Sequence, residues 1–384
     1  MSGRRIGRGD DRPELWAARA AVAERAVCAR QQRRCLLTGR LRELDVWPAG
    51  RLRPPHRSPW RATLLDCAVD AWLRAPTADR QARLTGLVRG LRARPKQLGN
   101  AELAALALAL HRAHSRAAAP VRPALARLAL RRLRESWSDH AGGGLWSDEP
   151  AGRKGAIANG AAALLFAQLA TEGGEKADLH RARSTVDWML QHLLDDGLVV
   201  TGLSVAPDGG PGALDRAISL TGNAYVLGAC ARLAVSTGER GWPEVTAGLV
   251  GAVAEKLADA DDVLRGREPG PALGILSRNL ASAALALRDD PAANLAARVV
   301  FASAEAAWRN RAVARGGPLF GPEWTVPAIS PTERPVAGEA PAPGPRAERE
   351  LSVQLAGWLA LESAALLERA GFDDRGSARR PRTL

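Results

Sequence analysis

The carboxylate best placed for chemistry is Glu102, which opens an apolar stretch of the chain. It follows Asn100 and Ala101 in the first turn of a predicted helix, where unpaired backbone N–H groups and the helix dipole favour an anion. Two carboxyl groups held close together can cleave a glycosidic bond, one as acid and base and the other as nucleophile. Further candidates for such a pair lie in long polar stretches: Asp139, Asp148, Glu149, Asp195, Asp196, Asp208 and Asp215. None pairs with Glu102 by spacing alone, and an ordinary first-turn glutamate is the competing interpretation.

Other patterns that could carry chemistry are incomplete. The glycines at 142–144 follow no strand and lack the last glycine of a dinucleotide-binding loop. Gly202 and Ser204 lack the second glycine of a nucleophile elbow. His111 and His114 have a spacing that suits metal ligands on a helix, but no third ligand is in view. The four cysteines have no C-x-x-C spacing: Cys28, Cys35, Cys67 and Cys230. We therefore expect neither a metal nor a cofactor.

Tryptophan is unusually frequent, with eleven residues against one tyrosine and four phenylalanines. Trp47, Trp137, Trp146 and Trp324 lie in long connections, and Trp60 opens a helical segment. A flat aromatic face in a cleft is a good platform for a sugar ring, since it buries apolar surface and keeps its N–H free. The competing interpretation is that these rings cover the end of an apolar core.

Helical periodicity is the main structural signal, and it predicts twelve helices. Their predicted ranges are 13–34, 58–74, 77–93, 100–115, 120–136, 155–170, 176–194, 216–236, 242–258, 272–287, 291–308 and 350–369. No run alternates convincingly between apolar and polar residues as a strand would, and 198–203 is the nearest candidate.

The predicted helices alternate in character along the chain. The even ones are almost free of charge in their middles, whereas the odd ones carry charges on one side. A helix that is apolar all round is buried, and an amphipathic helix lies at the surface. Six buried and six surface helices in alternation predict an all-α fold, an (α/α)6 barrel with an inner and an outer ring. The long connections all precede buried helices, so we expect function at that end of the barrel.

Length and composition limit the remaining possibilities. The chain has 384 residues; we expect one domain over 13–370, a basic disordered N-terminus over 1–12, a Pro-rich loop over 325–349 and a disordered tail over 371–384. No stretch of 18 apolar residues and no apolar signal segment occurs, which predicts a cytoplasmic protein without a membrane partner. The net charge is +13, but arginine is spread over the whole chain, which argues against nucleic acid as the main partner.

Several segments together resemble glycoside hydrolase family 76, in the form common in actinobacteria. They are residues 15–26, 64–71, 142–146, 158–160, 302–308, 317–322 and 350–358. The resemblance covers most of the chain, from about Leu15 to Leu367. It implies an (α/α)6 barrel and retaining cleavage of α-1,6-mannan, with an oligosaccharide or polysaccharide of this kind bound in the cleft.

The resemblance also implies where the catalytic residues should lie. Enzymes of the family use two consecutive aspartates at the start of the fourth helix, followed by two tryptophans. These positions correspond to Ala101 and Glu102, and the tryptophans to Ala105 and Leu106. Only one of the two expected carboxylates is therefore kept, on a longer side chain, and Glu102 is the candidate catalytic residue.

Other family motifs of the cleft are altered as well. The family's Tyr-Asn-Gln-Gly at the eighth helix is replaced by Thr-Gly-Asn-Ala at residues 221–224, and its lysine–asparagine pair is replaced by Lys154 and Gly155. The candidate substrate-binding residues are Trp60, Asn100, Trp146, Lys154, Asn159, Asn223, Arg278, Trp324 and Gln354. Two hypotheses follow. The chain is either a diverged hydrolase with weakened or altered activity, or an inactive pseudoenzyme that binds glycan or protein through the same cleft. The third hypothesis is a basic scaffold protein that binds acidic polymers. It predicts that the affinity for such polymers falls steeply as the salt concentration rises.

Overall fold

The computed structural model describes residues 14–34, 40–47, 58–91, 98–120, 123–147, 152–330 and 347–373. Within these residues the chain forms twelve α-helices. They are α1 (Leu15–Gln31), α2 (Arg61–Arg74), α3 (Ala78–Gly90), α4 (Asn100–Ala117), α5 (Pro123–Glu135), α6 (Ala156–Thr171), α7 (Lys176–His192), α8 (Leu220–Thr237), α9 (Gly241–Leu257), α10 (Ala272–Ala286), α11 (Pro291–Arg309) and α12 (Leu351–Arg369). The expected disordered segment 1–12, residues 331–346 of the Pro-rich loop and residues 374–384 of the tail lie outside the described residues.

The even-numbered helices form a closed ring. Each contacts the next one, from α2 through α4, α6, α8 and α10 to α12, and α12 returns to α2. Each odd-numbered helix packs on the outside of this ring against one or two inner helices, for example α1 against α12 and α11 against α10 and α12. The predicted all-α (α/α)6 barrel is therefore confirmed.

Burial follows the charge pattern of the sequence. Sixteen of the nineteen residues of the inner helix α12 are buried, against four of the seventeen in the outer helix α9. An inner helix has neighbours on every side and must be apolar all round, whereas an outer helix keeps a solvated face. No helix in the described part of the chain is both long and apolar enough to cross a membrane.

Small residues set how closely the inner helices approach. A Cβ atom on Gly274 of α10 would lie 2.6 Å from the carbonyl oxygen of Ala356 on α12. A Cβ atom on Gly160 of α6 would lie 2.9 Å from the Cβ of Tyr225 on α8. Both contacts are too close for any side chain larger than hydrogen, so the ring closes tightly because glycine occupies these positions.

In the described parts of the connections the chain also forms eight strands of two to eight residues. They are β1 (Gln32–Arg34), β2 (Leu41–Glu43), β3 (Arg153–Gly155), β4 (Leu194–Asp195), β5 (Leu198–Val205), β6 (Pro211–Ile218), β7 (Ala312–Ala314) and β8 (Gly317–Leu319). The first pair, β1 and β2, and the last pair, β7 and β8, are antiparallel two-stranded ladders. In the largest sheet, β5 pairs with β3, β4 and β6, all antiparallel.

The strands shorten several of the helices predicted from the sequence. Residues 32–34 of the predicted first helix form β1, Gly155 ends β3 and Leu194 begins β4. Residues 216–218, which the periodicity assigns to the eighth helix, belong to β6, and α8 begins at Leu220. The cause lies in the burial of the two long strands. Nearly all of β6 is exposed and most of β5 is buried on both faces, so neither strand has the apolar–polar alternation that would reveal it.

Adding one methyl group at the inner ring should destabilise the fold. We expect Gly274→Ala to lower the free energy of unfolding by about 1–3 kcal/mol, because the new Cβ would overlap backbone atoms of α12 that cannot move aside. The matched control is Gly248→Ala, in the interior of the outer helix α9, where a Cβ would meet nothing within 4 Å. That change should stabilise by about 0.5–1 kcal/mol. Urea denaturation of both variants checks the prediction, and equal shifts would contradict it.

Candidate functional site

The N-terminal ends of the inner helices carry the long connections and form what we call the cleft face. The connections into α6, α8, α10 and α12 run over 136–155, 193–219, 258–271 and 310–350. The connections at the opposite end are short, for example 172–175 and 238–240. Variable loops on a rigid scaffold are the usual place for binding and catalysis. A residue that contacts substrate is therefore expected to lie on the cleft face.

The first turn of α4 presents a single acidic side chain, Glu102, which is exposed. Ala101 beside it is half-buried and offers only a methyl group. Asn100 is fully buried, and its Nδ2 donates to the carbonyl oxygen of Trp146 at 2.7 Å. Its backbone N–H donates to the carbonyl oxygen of Ser147 at 2.9 Å. Asn100 therefore fixes the start of α4 against the neighbouring loop and holds Glu102 in place on the cleft face.

Asn159 joins an inner helix to a loop through backbone groups. It is the fourth residue of α6 and is fully buried. Its Oδ1 accepts the backbone N–H of Leu145 at 2.7 Å, and its Nδ2 donates to the carbonyl oxygen of the same residue at 3.0 Å. Nδ2 also donates to the carbonyl oxygen of Gly155 at 2.9 Å. The amide thus pairs with one loop residue as a neighbouring strand would.

The same device recurs on two other inner helices, and we call the three residues Asn159, Asn223 and Gln354 the amide clamps. Asn223 is the fourth residue of α8 and makes both bonds to the backbone of Val199, each at 2.8 Å. Gln354 is the fourth residue of α12 and pairs with the backbone of Phe320 at 3.1 and 2.9 Å. The sequence suggests sugar contacts for these side chains, whereas in the structure their polar atoms are bonded to loop backbone.

Lys154 is buried in full and holds the loop before α6. Its Nζ donates to the carbonyl oxygens of Ser138 at 2.9 Å and His140 at 2.6 Å, and to that of Gly143. The ammonium group also lies 4.8 Å from the centre of the Trp146 ring, within reach of a cation–π contact. Burial lowers the pKa of Lys154 to about 8. These contacts place the ammonium group inside the loop that it supports.

The candidate aromatic platforms differ in exposure. Trp60 precedes α2, is half-buried and packs on Gly270, where a Cβ would lie 2.5 Å from the ring and where φ is +99°. Trp146 is also half-buried. Trp324, in contrast, is only 3% exposed and packs in the core. Trp60 and Trp146 therefore retain surface that a sugar could contact, and Trp324 retains very little.

Most of the loop carboxylates in the described residues have partners of their own. The ion pairs are Asp195 with Arg216, Asp196 with Lys256 and Asp215 with Arg153. Asp208 accepts the backbone N–H of Gly210 at 2.9 Å within a turn, and Asp139 is exposed. Asp148 and Glu149 lie outside the described residues. The three ion-paired aspartates are thus held by basic side chains, which lowers their availability as a partner for Glu102.

Three glutamates on the cleft face escape the sequence analysis. Glu268, Glu323 and Glu350 line a cavity of about 260 Å³ beside the starts of α10 and α12, together with Arg267. Glu268 also accepts the backbone N–H of Thr221 at 3.3 Å, in the first turn of α8. Glu268 comes from the connection before α10, and Glu323 and Glu350 come from distant points of the connection before α12. No motif spacing links them, and only Glu268 and Glu350 have a position close to the start of an inner helix that could have drawn attention to them.

The structure places Arg278 away from the cleft face. It is the seventh residue of α10, and its guanidinium lies 3.1 Å from Asp66 and 3.3 Å from Asp70, measured between nitrogen and oxygen. Arg112 of α4 bridges the same two carboxylates. Arg278 is therefore part of a buried ionic network inside the barrel, which corrects the cleft position expected from the sequence.

A second buried network adjoins the first. Arg74, at the end of α2, bridges Glu24 at 2.7 Å and Glu362 at 2.9 Å. Burial raises the pKa of Glu362 to about 7, although Arg74 opposes the shift, and it raises the pKa of Asp66 to about 7 as well. The two networks tie α1, α2, α4, α10 and α12 together by charge as well as by apolar packing.

The two histidines considered as metal ligands have other surroundings. The Nε2 atom of His111 lies 2.9 Å from a carboxylate oxygen of Glu172. His114 faces the carbonyl oxygen of Ala119 at 3.2 Å. In the part of the chain that the structure describes, no group of three histidine, cysteine, aspartate or glutamate side chains could hold a metal ion.

Comparison with known proteins gives a family match. The model of glycosyl hydrolase family 76 matches residues 93–334. The comparison with curated proteins found no match.

Solved structures of this family share the fold. The GH76A α-1,6-mannanase from Salegentibacter sp. HEL1_6 is 22% identical, with a TM-score of 0.76 over 92% of this chain and 99% of that chain. An inactive variant of that enzyme, with two aspartates replaced by asparagine and α-1,6-mannotriose bound, is 23% identical, with a TM-score of 0.75 over the same shares. A family 76 mannosidase from Bacteroides thetaiotaomicron is 16% identical, with a TM-score of 0.75, again over 92% and 99% of the two chains.

Removing the buried ammonium group should loosen the loop that it supports. We expect Lys154→Met to lower the free energy of unfolding by about 3 kcal/mol, because each buried carbonyl left without a donor costs about 1–3 kcal/mol. Chemical denaturation measures the change. Lys176→Met, on an exposed lysine at the start of α7, is the control and should change stability little. Equal stabilities for the two variants would show that the loop is held without Lys154.

Glu362 should make stability depend on pH. Its pKa is raised from 4.5 to about 7, so between these values the folded protein keeps a proton that the unfolded chain has released. Its contribution is therefore complete below pH 4.5 and is lost as the pH rises to about 7. We expect the difference in unfolding free energy between wild type and Glu362→Gln to fall over that range. Glu135→Gln, on the surface, should show no such trend, and a constant difference for Glu362→Gln would mean that its pKa is not raised.

Proposed function

Because the family model matches 93–334, the chain belongs to glycosyl hydrolase family 76, and we propose that its cleft binds α-1,6-linked manno-oligosaccharides and hydrolyses them slowly. The observation that supports slow hydrolysis is the first turn of α4. It presents Glu102 and, at the adjacent position, the methyl group of Ala101. The resemblance to the family assigns the catalytic pair of carboxylates to these two positions.

The chemistry explains why one missing carboxylate matters. A retaining glycosidase needs a nucleophile and an acid–base group about 5–5.5 Å apart. Loss of proton transfer alone costs about 10²–10⁴-fold in rate. Glu102 can fill one role, since it is exposed on the cleft face and its longer side chain carries the same group as aspartate. The second role needs a carboxylate from elsewhere.

Binding of the sugar depends less on the catalytic pair of carboxylates than cleavage of the sugar does. The Salegentibacter variant, in which two aspartates are replaced by asparagine, is inactive and is in complex with α-1,6-mannotriose. That variant therefore holds the sugar although neither of the two aspartates is present. In this chain, the half-buried rings of Trp60 and Trp146 are the surfaces on which we place a sugar.

The second candidate function is a pseudoenzyme that binds glycan or protein without cleaving it, and Ala101 favours it too. The two functions differ in whether a replacement carboxylate reaches the bound sugar. Of the described residues, Glu268, Glu323 and Glu350 are the ones that we consider for this role, because they line a cavity on the cleft face. Three of the loop aspartates are already paired with basic side chains.

Restoring the pair is the sharpest test. We expect the double variant Ala101→Asp, Glu102→Asp to cleave α-1,6-linked manno-oligosaccharides about 10²–10⁴-fold faster than wild type, because it regains the missing carboxyl group. Glu102→Gln should abolish the slow wild-type cleavage. Glu135→Gln, a surface change on α5, should leave it unaltered. Product analysis by chromatography measures cleavage, and the rise in melting temperature with α-1,6-mannotriose measures binding.

The outcomes separate the candidates. If wild type does not cleave but mannotriose raises its melting temperature, the slow hydrolase is excluded and the pseudoenzyme is supported. If Glu102→Gln cleaves as fast as wild type, Glu102 is not catalytic. With neither cleavage nor a rise in melting temperature for any variant, α-1,6-mannan is the wrong ligand.

A further inference from the structure

A cavity of about 530 Å³ opens at the end of the barrel opposite the cleft face, and we call it the far-end cavity. Two cavities on the cleft face are smaller, at about 260 and 170 Å³. All six inner helices line it with residues from their middles and C-terminal halves, among them Asp70, Arg112, Leu164, Gly228, Asn279 and Glu362. A volume of this size suits a small organic molecule.

The mouth of the far-end cavity carries more positive than negative charge. Arg116 and Arg232 lie 2.7 and 3.4 Å from the same carboxylate, that of Glu172. Arg369 donates to the carbonyl oxygen of Leu73 at 2.7 Å. Three guanidinium groups thus surround the opening, and two of them share one carboxylate. Their remaining N–H donors can bind an oxyanion, for which the planar guanidinium is well shaped.

The floor of the cavity does not offset this charge. It is formed in part by the buried network in which Arg112 and Arg278 bridge Asp66 and Asp70. Two cations and two carboxylates make this network neutral when all four groups are ionised. The excess positive charge at the mouth is therefore not cancelled from below.

The walls favour an anion over an unsubstituted sugar. Leu164, Val235 and Leu285 supply apolar surface, and Asn279 supplies an amide. No aromatic ring lines the cavity in the described ranges, so the stacking platform of a sugar site is absent there. Arginines near the ends of α4, α8 and α12 also compensate the negative ends of the helix dipoles, but this compensation does not require them to surround a cavity.

We propose that the far-end cavity is a second binding site that takes a small organic anion with a phosphoryl or carboxylate group, held by the guanidinium groups of Arg116, Arg232 and Arg369. This site is separate from the cleft and does not depend on the proposed mannan binding. Val235 lines the cavity and is 64% exposed, which places it at the mouth.

The test is calorimetric titration of the full chain at low salt with four probes. Mannose 6-phosphate and inorganic phosphate carry the phosphoryl group, citrate carries carboxylates, and mannose is the neutral control. We expect saturable binding of one anion per chain and none of mannose. Arg232→Gln and Arg369→Gln should each weaken it about tenfold, because each removes a charge-assisted contact.

Two further variants distinguish the cavity from general attraction to a basic protein. Val235→Trp should block the mouth and abolish binding without a change of charge. Arg240→Gln removes an exposed arginine just before α9, at the same end of the barrel but outside the cavity lining, and should leave the affinity unchanged. All four positions are at least partly exposed, and melting temperatures without ligand will show that the variants fold.

Each outcome bears on the proposal. Binding of both phosphoryl probes but not citrate identifies a phosphoryl site, and the reverse identifies a carboxylate site; both support it. The proposal is overturned if no probe binds saturably, if Arg240→Gln weakens binding as much as Arg232→Gln, or if Val235→Trp binds as wild type does. Mannotriose binding should be the same in Val235→Trp and wild type.

Discussion

The close approach of the inner helices is the constraint on which the rest of the molecule depends. Where Gly274 meets the backbone of α12, and where Gly160 meets Tyr225, the helices touch at distances that admit no extra carbon atom. Such contacts fix both the position and the direction of each inner helix. They therefore also fix where each helix begins, which places the loops of the cleft face, and where each helix ends, which shapes the far-end cavity.

Buried charge links the helices around the far-end cavity. The network around Arg278 contributes to the floor of that cavity, and the network around Arg74 joins the end of α2 to α1 and α12. Buried ion pairs contribute little net stability, because desolvation offsets their attraction, but removal of one partner is costly. The networks thus act less as a source of stability than as a requirement for one arrangement of helices. The two ends of the barrel also differ in their side chains: the rings of Trp60 and Trp146 lie at the cleft face, and Arg116, Arg232 and Arg369 line the far-end cavity.

The sequence predicts the barrel well because buried and surface helices differ in their residue types. Uncharged helices alternate with amphipathic ones, and this pattern alone identifies both rings. The site is less predictable. An asparagine such as Asn159 has the same donors and acceptor whether its partner is a sugar or a loop, so residue type cannot distinguish the two roles. Glu268, Glu323 and Glu350 meet only after folding, and the exposed strand β6 has no apolar pattern to reveal it.

The amide clamps have a consequence for how such a protein can change. Each clamp binds the N–H and C=O groups of one loop residue, and every residue type except proline carries both. Side chains elsewhere in the loop are therefore free to vary without releasing the loop from its helix. Substitutions can accumulate around the cleft, one at a time, while the backbone keeps its path. In such a scaffold the fold can be kept while the side chains of the cleft change. A family can therefore keep its architecture while individual members lose or exchange their reactive groups.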